Sequence, residues 1–276
     1  MSFKPEGMSS ILSISSHVIR GSVGNRASTF VFESFGYSVW EMPTIIMPWH
    51  PGVGPSHPLI ISDEAFTRQI DDILSAEHRS EISVIFTGYF ASERQVTETA
   101  RLIRTLASEN PKIIYLCDPV LGDAGELYIK PEVAEAVRNE LIPISQITTP
   151  NRFELFCLSG KQEVNDYEVC ASIARKLDCP KVLVTSAEID QKSRQLINLL
   201  SDEGKLISCK EKLLQNVPKG TGDTFSALFL AHHLAGIPNE TNLVESGRVL
   251  NALIAQSVSA DGSELQLAAL RSLLKP

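Results

Sequence analysis

Paired cysteines and positive charge are both scarce in this chain of 276 residues. Its five cysteines, Cys117, Cys157, Cys170, Cys179 and Cys209, form no C-x-x-C pair and lie mostly in apolar surroundings. They read as reduced, buried thiols, not as a zinc or disulfide framework. Lys and Arg number 25 against 33 Asp and Glu, a net charge of −8. A general nucleic-acid binder must neutralise many phosphates, so that class is excluded. No apolar run is long enough to cross a bilayer, so no membrane partner is expected. The opening "MSFKPEGMSS" lacks the apolar core of a signal peptide; a cytoplasmic protein is expected, with residues 1–9 as a disordered leader. Repeats, low-complexity tracts and linkers are also missing, and residues 1–276 read as a single domain.

What is present is a large apolar fraction, 43%, distributed in short β-rich runs. These begin at Ile11, Tyr37, Ile82, Lys112, Ser145 and Lys181. Helical periodicity fills several intervals, over Asp63 to Ala76, Glu93 to Ala107 and Asp166 to Leu177. Alternating strands and helices predict an α/β fold, a mostly parallel sheet covered on both faces. "QLINLLSDEGKLISCKEKLL" predicts a hairpin turning at Glu203-Gly204, and two helices close the chain. One stretch, Met42 to Pro58, carries five prolines and two glycines with Trp49, His50 and His57. Proline removes ladder donors, so an irregular loop is expected, either a flap over a ligand or a packed surface loop.

Ligands of such sheets bind outside the carboxyl ends of the strands, and the polar clusters fall there. In "KGTGDTF" the turn Gly220-Thr221-Gly222 allows backbone N–H groups to converge on an anion at a helix start. Asp223 beside it is either a helix cap or a catalytic carboxylate. "CDPVLGD" sets Asp118 and Asp123 just past a strand, either as a turn or as carboxylates serving Mg²⁺. In "TTPNRFEL" Thr149 is expected to cap a helix starting at Pro150. Asn151 and Glu154 then share a face, suited to the surroundings of Mg²⁺ and triphosphate, or merely to a capped helix. "ISSHVIRGSVGNRASTF" ends the first strand in Ser13, Ser15, Ser16 and His17, small hydroxyls able to bond a polar small molecule. A structural role is favoured for the lone His17. A helix is expected from about Arg26, and the short G-x-x-G there lacks the full dinucleotide fingerprint.

"ISSHVIRGSVGNRASTF", "FTGY", "CDPVLGD", "TPNRFEL", "VTS" and "GTGD" occur in that order from Ile14 to Asp223. Together they resemble the pyridoxal kinases of the ribokinase-like superfamily. The resemblance implies a three-layer α/β/α fold and ATP-dependent phosphorylation of the 5′-hydroxymethyl group of pyridoxal, pyridoxine or pyridoxamine. It implies that Asp223 takes the hydroxyl proton and that Gly220, Thr221 and Gly222 form the anion hole. Asp118 and Glu154 would organise Mg²⁺ and a monovalent cation such as K⁺, with Asp123 at the phosphates or closing the site. Asn151, Thr185 and Ser186 would hold ATP phosphates. Ser16, Val23, Tyr89 and His50 would meet the vitamin, and a homodimer is expected.

Three positions depart from the family pattern. Pro51 follows His50 where relatives carry a hydroxyl, the loop after Asp123 is short, and Lys219 replaces an apolar residue, facing solvent or a phosphate. The rival readings are a hydroxymethylpyrimidine kinase of the same fold and a non-catalytic vitamin-binding regulator.

Overall fold

The computed structural model describes residues 10–259 and 264–274; the expected leader over residues 1–9 lies outside them. The elements run β1 (Ser10–Val18), α1 (Asn25–Ser34), β2 (Ser38–Met47), β3 (Leu59–Ile60), α2 (Asp63–Ser75), β4 (Ile82–Thr87), α3 (Glu93–Glu109) and β5 (Ile114–Cys117). A two-stranded hairpin, β6 (Gly122–Asp123) and β7 (Glu126–Leu127), precedes α4 (Pro131–Ala136), β8 (Ile147–Thr148), α5 (Arg152–Ser159) and α6 (Tyr167–Ala174). The chain then forms β9 (Lys181–Asp190), β10 (Gln195–Asp202), β11 (Lys205–Lys212), α7 (Thr221–Leu234), α8 (Asn239–Ser259) and α9 (Leu270–Leu273).

Nine strands form one sheet in the order β11-β10-β9-β8-β5-β4-β1-β2-β3. The pairings from β2 across to β9 are parallel, and only the outer ones are antiparallel. Side chains of the central strands alternate between two apolar cores, as a sheet covered on both faces requires. Leu12, Ile14, Ile85 and Tyr115 pack with α2, α3 and α4. Ile11, Val84, Phe86 and Leu116 pack with Val31 and Phe32 of α1 and with Phe225, Leu228 and Phe229 of α7. Glu203 and Gly204 turn the β10–β11 hairpin at φ 48° and 85°, the left-handed pair of a two-residue turn.

The expected irregular stretch from Met42 begins later than its prolines suggest. β2 continues to Met47, and Pro43 lies opposite Ser15 where the β1–β2 register shifts. A bulge tolerates proline because the ladder is already interrupted there. The excursion is therefore the segment between β2 and β3, with a 3₁₀ turn at Pro51–Val53. Its two legs pair at Ile45–Ile60 and Ile46–Leu59. The cysteines are all free, Cys117 and Cys170 buried and the others partly so. Among the described residues no helix is long and apolar enough to cross a membrane.

Candidate active site

The carboxyl ends of β1, β4, β5 and β8 and the middle of β9 carry Ser16, Tyr89, Asp118, Thr149 and Thr185, and the N-terminus of α7 meets this region through Asp223 beside Gly24. Gly220 precedes α7 at φ 90°. A Cβ there would collide with the Ser22 carbonyl oxygen, so the turn requires glycine. Thr221, Gly222 and Asp223 form the first turn of α7, whose N–H groups have no partners further back in the helix. Gly220 holds the cap position, so Asp223 is not the N-cap. The Asp223 carboxylate accepts from its own N–H and from that of Gly24, while burial pushes its pKa up.

Gly24 ties this carboxylate to β1. It takes φ 57°, and a Cβ on it would strike the Ser16 carbonyl and hydroxyl oxygens. Ser16, Gly24 and Asp223 are thus brought together, and Val23 packs against Gly220. The neighbouring serines serve the protein itself. Ser13 Oγ donates to Asn25 Oδ1 at 2.9 Å, and Ser15 Oγ accepts from Tyr89 N–H at 3.1 Å. Asn25 starts α1, one residue ahead of the expected Arg26, and its Nδ2 donates to the Ser15 carbonyl. Structural roles of this kind were not assigned from sequence, because serines at a strand end look alike until the partners are placed. His17 makes only a 3.5 Å approach to Glu41.

Asp118 is 5% exposed. Burial first, and then the neighbouring Asp223 carboxylate, push its pKa up to about 8 against hydrogen bonds from Ser226 and Thr149. Thr149 therefore is not the helix cap. Asn151 caps α5 in a capping box: its side chain accepts from Glu154 N–H at 2.9 Å while Glu154 Oε2 accepts from Asn151 N–H at 2.8 Å. The N-x-x-E spacing was the available signal for this box. Glu154 Oε1 also accepts from Leu121 N–H at 3.0 Å, and burial followed by Asp118 pushes its pKa well up. Asn151 Nδ2 donates to the Gly122 carbonyl at 2.9 Å, tying the β6–β7 hairpin down. Asp123 is exposed on that hairpin and accepts from Ala124 N–H at 2.8 Å.

Asp118 lies within electrostatic reach of both Glu154 and Asp223, and none of the three makes an ion pair within the described residues. Such a set is costly unless a cation is supplied, since buried charges need pairing. Among the described residues no three His, Cys, Asp or Glu side chains converge to hold a metal ion by themselves, so any cation here would need further ligands from a bound molecule. Both Glu154 oxygens already accept from backbone N–H groups, of Leu121 and Asn151, which holds the loop after β5 against α5. Beside this group Thr185 bridges to Asn151, and Thr185 N–H donates to the Pro150 carbonyl at 3.0 Å. Ser186 follows at φ 52°.

The flap carries His50, whose Nδ1 accepts from Gly52 N–H at 3.0 Å. Burial and the Lys219 ammonium lower the His50 pKa. Lys219 is exposed and leans on the flap, its Cε 4.0 Å from where a Cβ on Gly52 would sit. Gln95, which sequence reading passed over, anchors the base of the flap. Its Nε2 donates to the carbonyls of Thr44 and Ile61, one on each leg, and its Oε1 accepts from Ala91 N–H. Thr44 Oγ1 in turn donates to the Tyr89 carbonyl at 2.8 Å.

Fold and site together define a ribokinase-like α/β protein. Residues 54–266 match the profile of the phosphomethylpyrimidine kinase family. Pyridoxal kinase PdxY of Pasteurella multocida is 30% identical over 97% of this chain and 96% of its own. The pyridoxal kinase of Entamoeba histolytica superposes with a TM-score of 0.89 at 28% identity, covering 97% of this chain and 96% of that one. The pyridoxal kinase of Leishmania donovani, solved with ADP and pyridoxine, gives 0.88 at 28% identity and the same coverage. The chain belongs to the pyridoxal kinase family of the ribokinase-like superfamily.

Proposed function

We propose that this chain transfers the terminal phosphoryl group of ATP to the 5′-hydroxymethyl group of pyridoxal, and of pyridoxine and pyridoxamine. The observation that carries the reading is the Asp223 carboxylate, set beside the N–H groups of a glycine turn and tied through Gly24 to Ser16. The vitamin's ring bonds Ser16 and lies between Val23, Tyr89 and the His50 flap, which presents its hydroxymethyl group to Asp223. Asp223 accepts the hydroxyl proton as the oxygen attacks phosphorus, and its raised pKa brings it closer to the working pH of a general base. The N–H groups of Gly220, Thr221 and Gly222 stabilise charge on the transferring oxygens, where most of the catalysis of phosphoryl transfer resides.

Thr185, Ser186 and Asn151 hold the remaining phosphates, with Asp123 and Lys219 at the rim. Magnesium brought with ATP would be held at Asp118, with Glu154 behind it, and would neutralise phosphate charge. A monovalent cation such as K⁺, a homodimer, a single domain and a cytoplasmic location complete the proposal. The test is release of ADP in a coupled assay with each of the three vitamers and with hydroxymethylpyrimidine. Turnover with pyridoxal well above that with the pyrimidine is the expected result. The reverse order assigns the chain to pyrimidine phosphorylation, and binding without turnover makes it a regulator.

A further inference from the structure

The ladder between β9 and β10 is broken at one place. Ile197 faces Glu188 and Leu199 faces Val184, so Asn198 stands alone opposite Thr185, Ser186 and Ala187. Bulges of this kind, common next to active sites, re-aim the residues they contain. Ser186 takes φ 52° within it, a conformation side-chain-bearing residues seldom adopt without support from their surroundings. Its N–H donates to the side chain, Asn198 Oδ1, at 2.9 Å.

A chain of bonds runs on from there. Asn198 Nδ2 donates to Glu211 Oε1 of β11 at 2.9 Å, and Asn251 Nδ2 of α8 donates to the other carboxylate oxygen. Gly247, one turn earlier on α8, permits that approach, since a Cβ there would collide with the Glu211 carboxylate. Glu211 makes no ion pair among the described residues; its charge is met by the two amides. On its other side the bulge is held by the Thr185–Asn151 bridge. A residue in an unusual backbone conformation is thus braced from the β10–β11 hairpin and from α8, at the bulge within β9 where the phosphates are proposed to lie.

We propose that Asn198 and Glu211 are positioning residues for the nucleotide, fixing the Thr185-Ser186 bulge against its own conformational preference. The inference rests on the reading above that this bulge faces ATP phosphates. A purely structural network would lower thermal stability and leave the two Michaelis constants in proportion; a positioning network shifts the one for ATP alone.

The test varies ATP and pyridoxal separately for Asn198→Ala, Glu211→Gln, Asn198→Asp and the double variant N198D/E211Q, with a melting curve for each. Losing the buried bond to Ser186 in N198A is expected to raise KM for ATP about tenfold, with KM for pyridoxal within about twofold. N198D places two carboxylates together and should do at least as much harm. N198D/E211Q exchanges amide and carboxylate while keeping every donor paired with an acceptor, and should return KM for ATP to within about threefold of wild type. E211Q changes shape least and gives the same selective shift if N198A does not fold. An N198A enzyme with lowered melting temperature and unchanged KM for ATP, or a double variant without rescue, overturns the proposal. A wild-type chain that turns over no vitamer with ATP instead overturns the functional reading on which it rests.

Discussion

The backbone N–H of Gly24 donates to the carboxylate of Asp223, joining the turn after the first strand to the first turn of α7. Through this bond the turn that lies against Ser16 and the glycine turn at Gly220 share one anchor. It also leaves Asp223 with an acceptor role that asparagine can reproduce. Asp223→Asn is therefore expected to fold normally and to bind ATP, yet to lose on the order of 10²–10⁴ in kcat because the amide cannot take the hydroxyl proton. Turnover, calorimetric ATP binding and melting temperature on one sample check this. A kcat within a few-fold of wild type returns Asp223 to a structural role.

Ser16→Ala is expected to weaken pyridoxal selectively, by about 1–3 kcal/mol, through loss of a hydrogen bond to the ring. Gly24→Ala should mimic it by a different route. Its Cβ would strike the Ser16 oxygens at a φ of 57°, displacing Ser16 and disturbing the bond to Asp223. KM for pyridoxal should rise in both, with a fall in kcat only in G24A. A raised KM for ATP alone would put Ser16 on the wrong ligand.

The flap stands on legs tied at their base by Gln95, while its tip is braced by Trp49 Nε1 donating to the Gly54 carbonyl at 3.0 Å. Hydrogen exchange over residues 48–58 should slow when pyridoxal is added and change little with ATP alone. Equal exchange with and without saturating pyridoxal counts against closure over the vitamin.

Asp118 gives a pH signature. Its pKa of about 8 in the folded chain lies well above that of an exposed aspartate. Between these values the folded state holds a proton that the unfolded state has lost, so this group makes the chain less stable as pH rises towards 8 and contributes no penalty at pH 4. In chelator and without nucleotide, Asp118→Asn should melt roughly 2–5 °C above wild type at pH 8, the gap closing towards pH 5. Activity should be largely lost at both. An equal gap at the two pH values would remove burial and Asp223 as the cause.

Much of the fold is legible in the sequence. The runs at Ile82 and Lys181 become β4 and β9, and the helical period over residues 63–76 becomes α2, because patterning by period follows from which faces must be buried. Two local features differ from the sequence expectation for one reason: a short-range signal has several outcomes until a partner is present. Proline at 43 does not end β2, since β2 itself bulges just after it, with Thr44 and Ile45 opposite Ser16 of β1. Thr149 does not cap α5, since its hydroxyl is engaged by Ser226 Oγ of a distant helix at 2.8 Å and by the Asp118 carboxylate.

The sequence by itself determined the alternation of strands and helices, the glycine turn that only glycine can make, and the identity of the polar residues at the strand ends. Tertiary structure decided which of those residues meet. Ser13, Ser15 and Ser16 are indistinguishable in the chain, yet packing turns the first two into internal bonds and leaves Ser16 against Gly24. Asn198, Glu211 and Asn251 carry no motif at all and become a network only when the β10–β11 hairpin lies against α8. Local conformation is set by neighbours in sequence, through sterics and hydrogen bonds a few residues long. The pKa of Asp118 and the bracing of Ser186 depend on groups far along the chain, and those are brought near only by burial of the two cores.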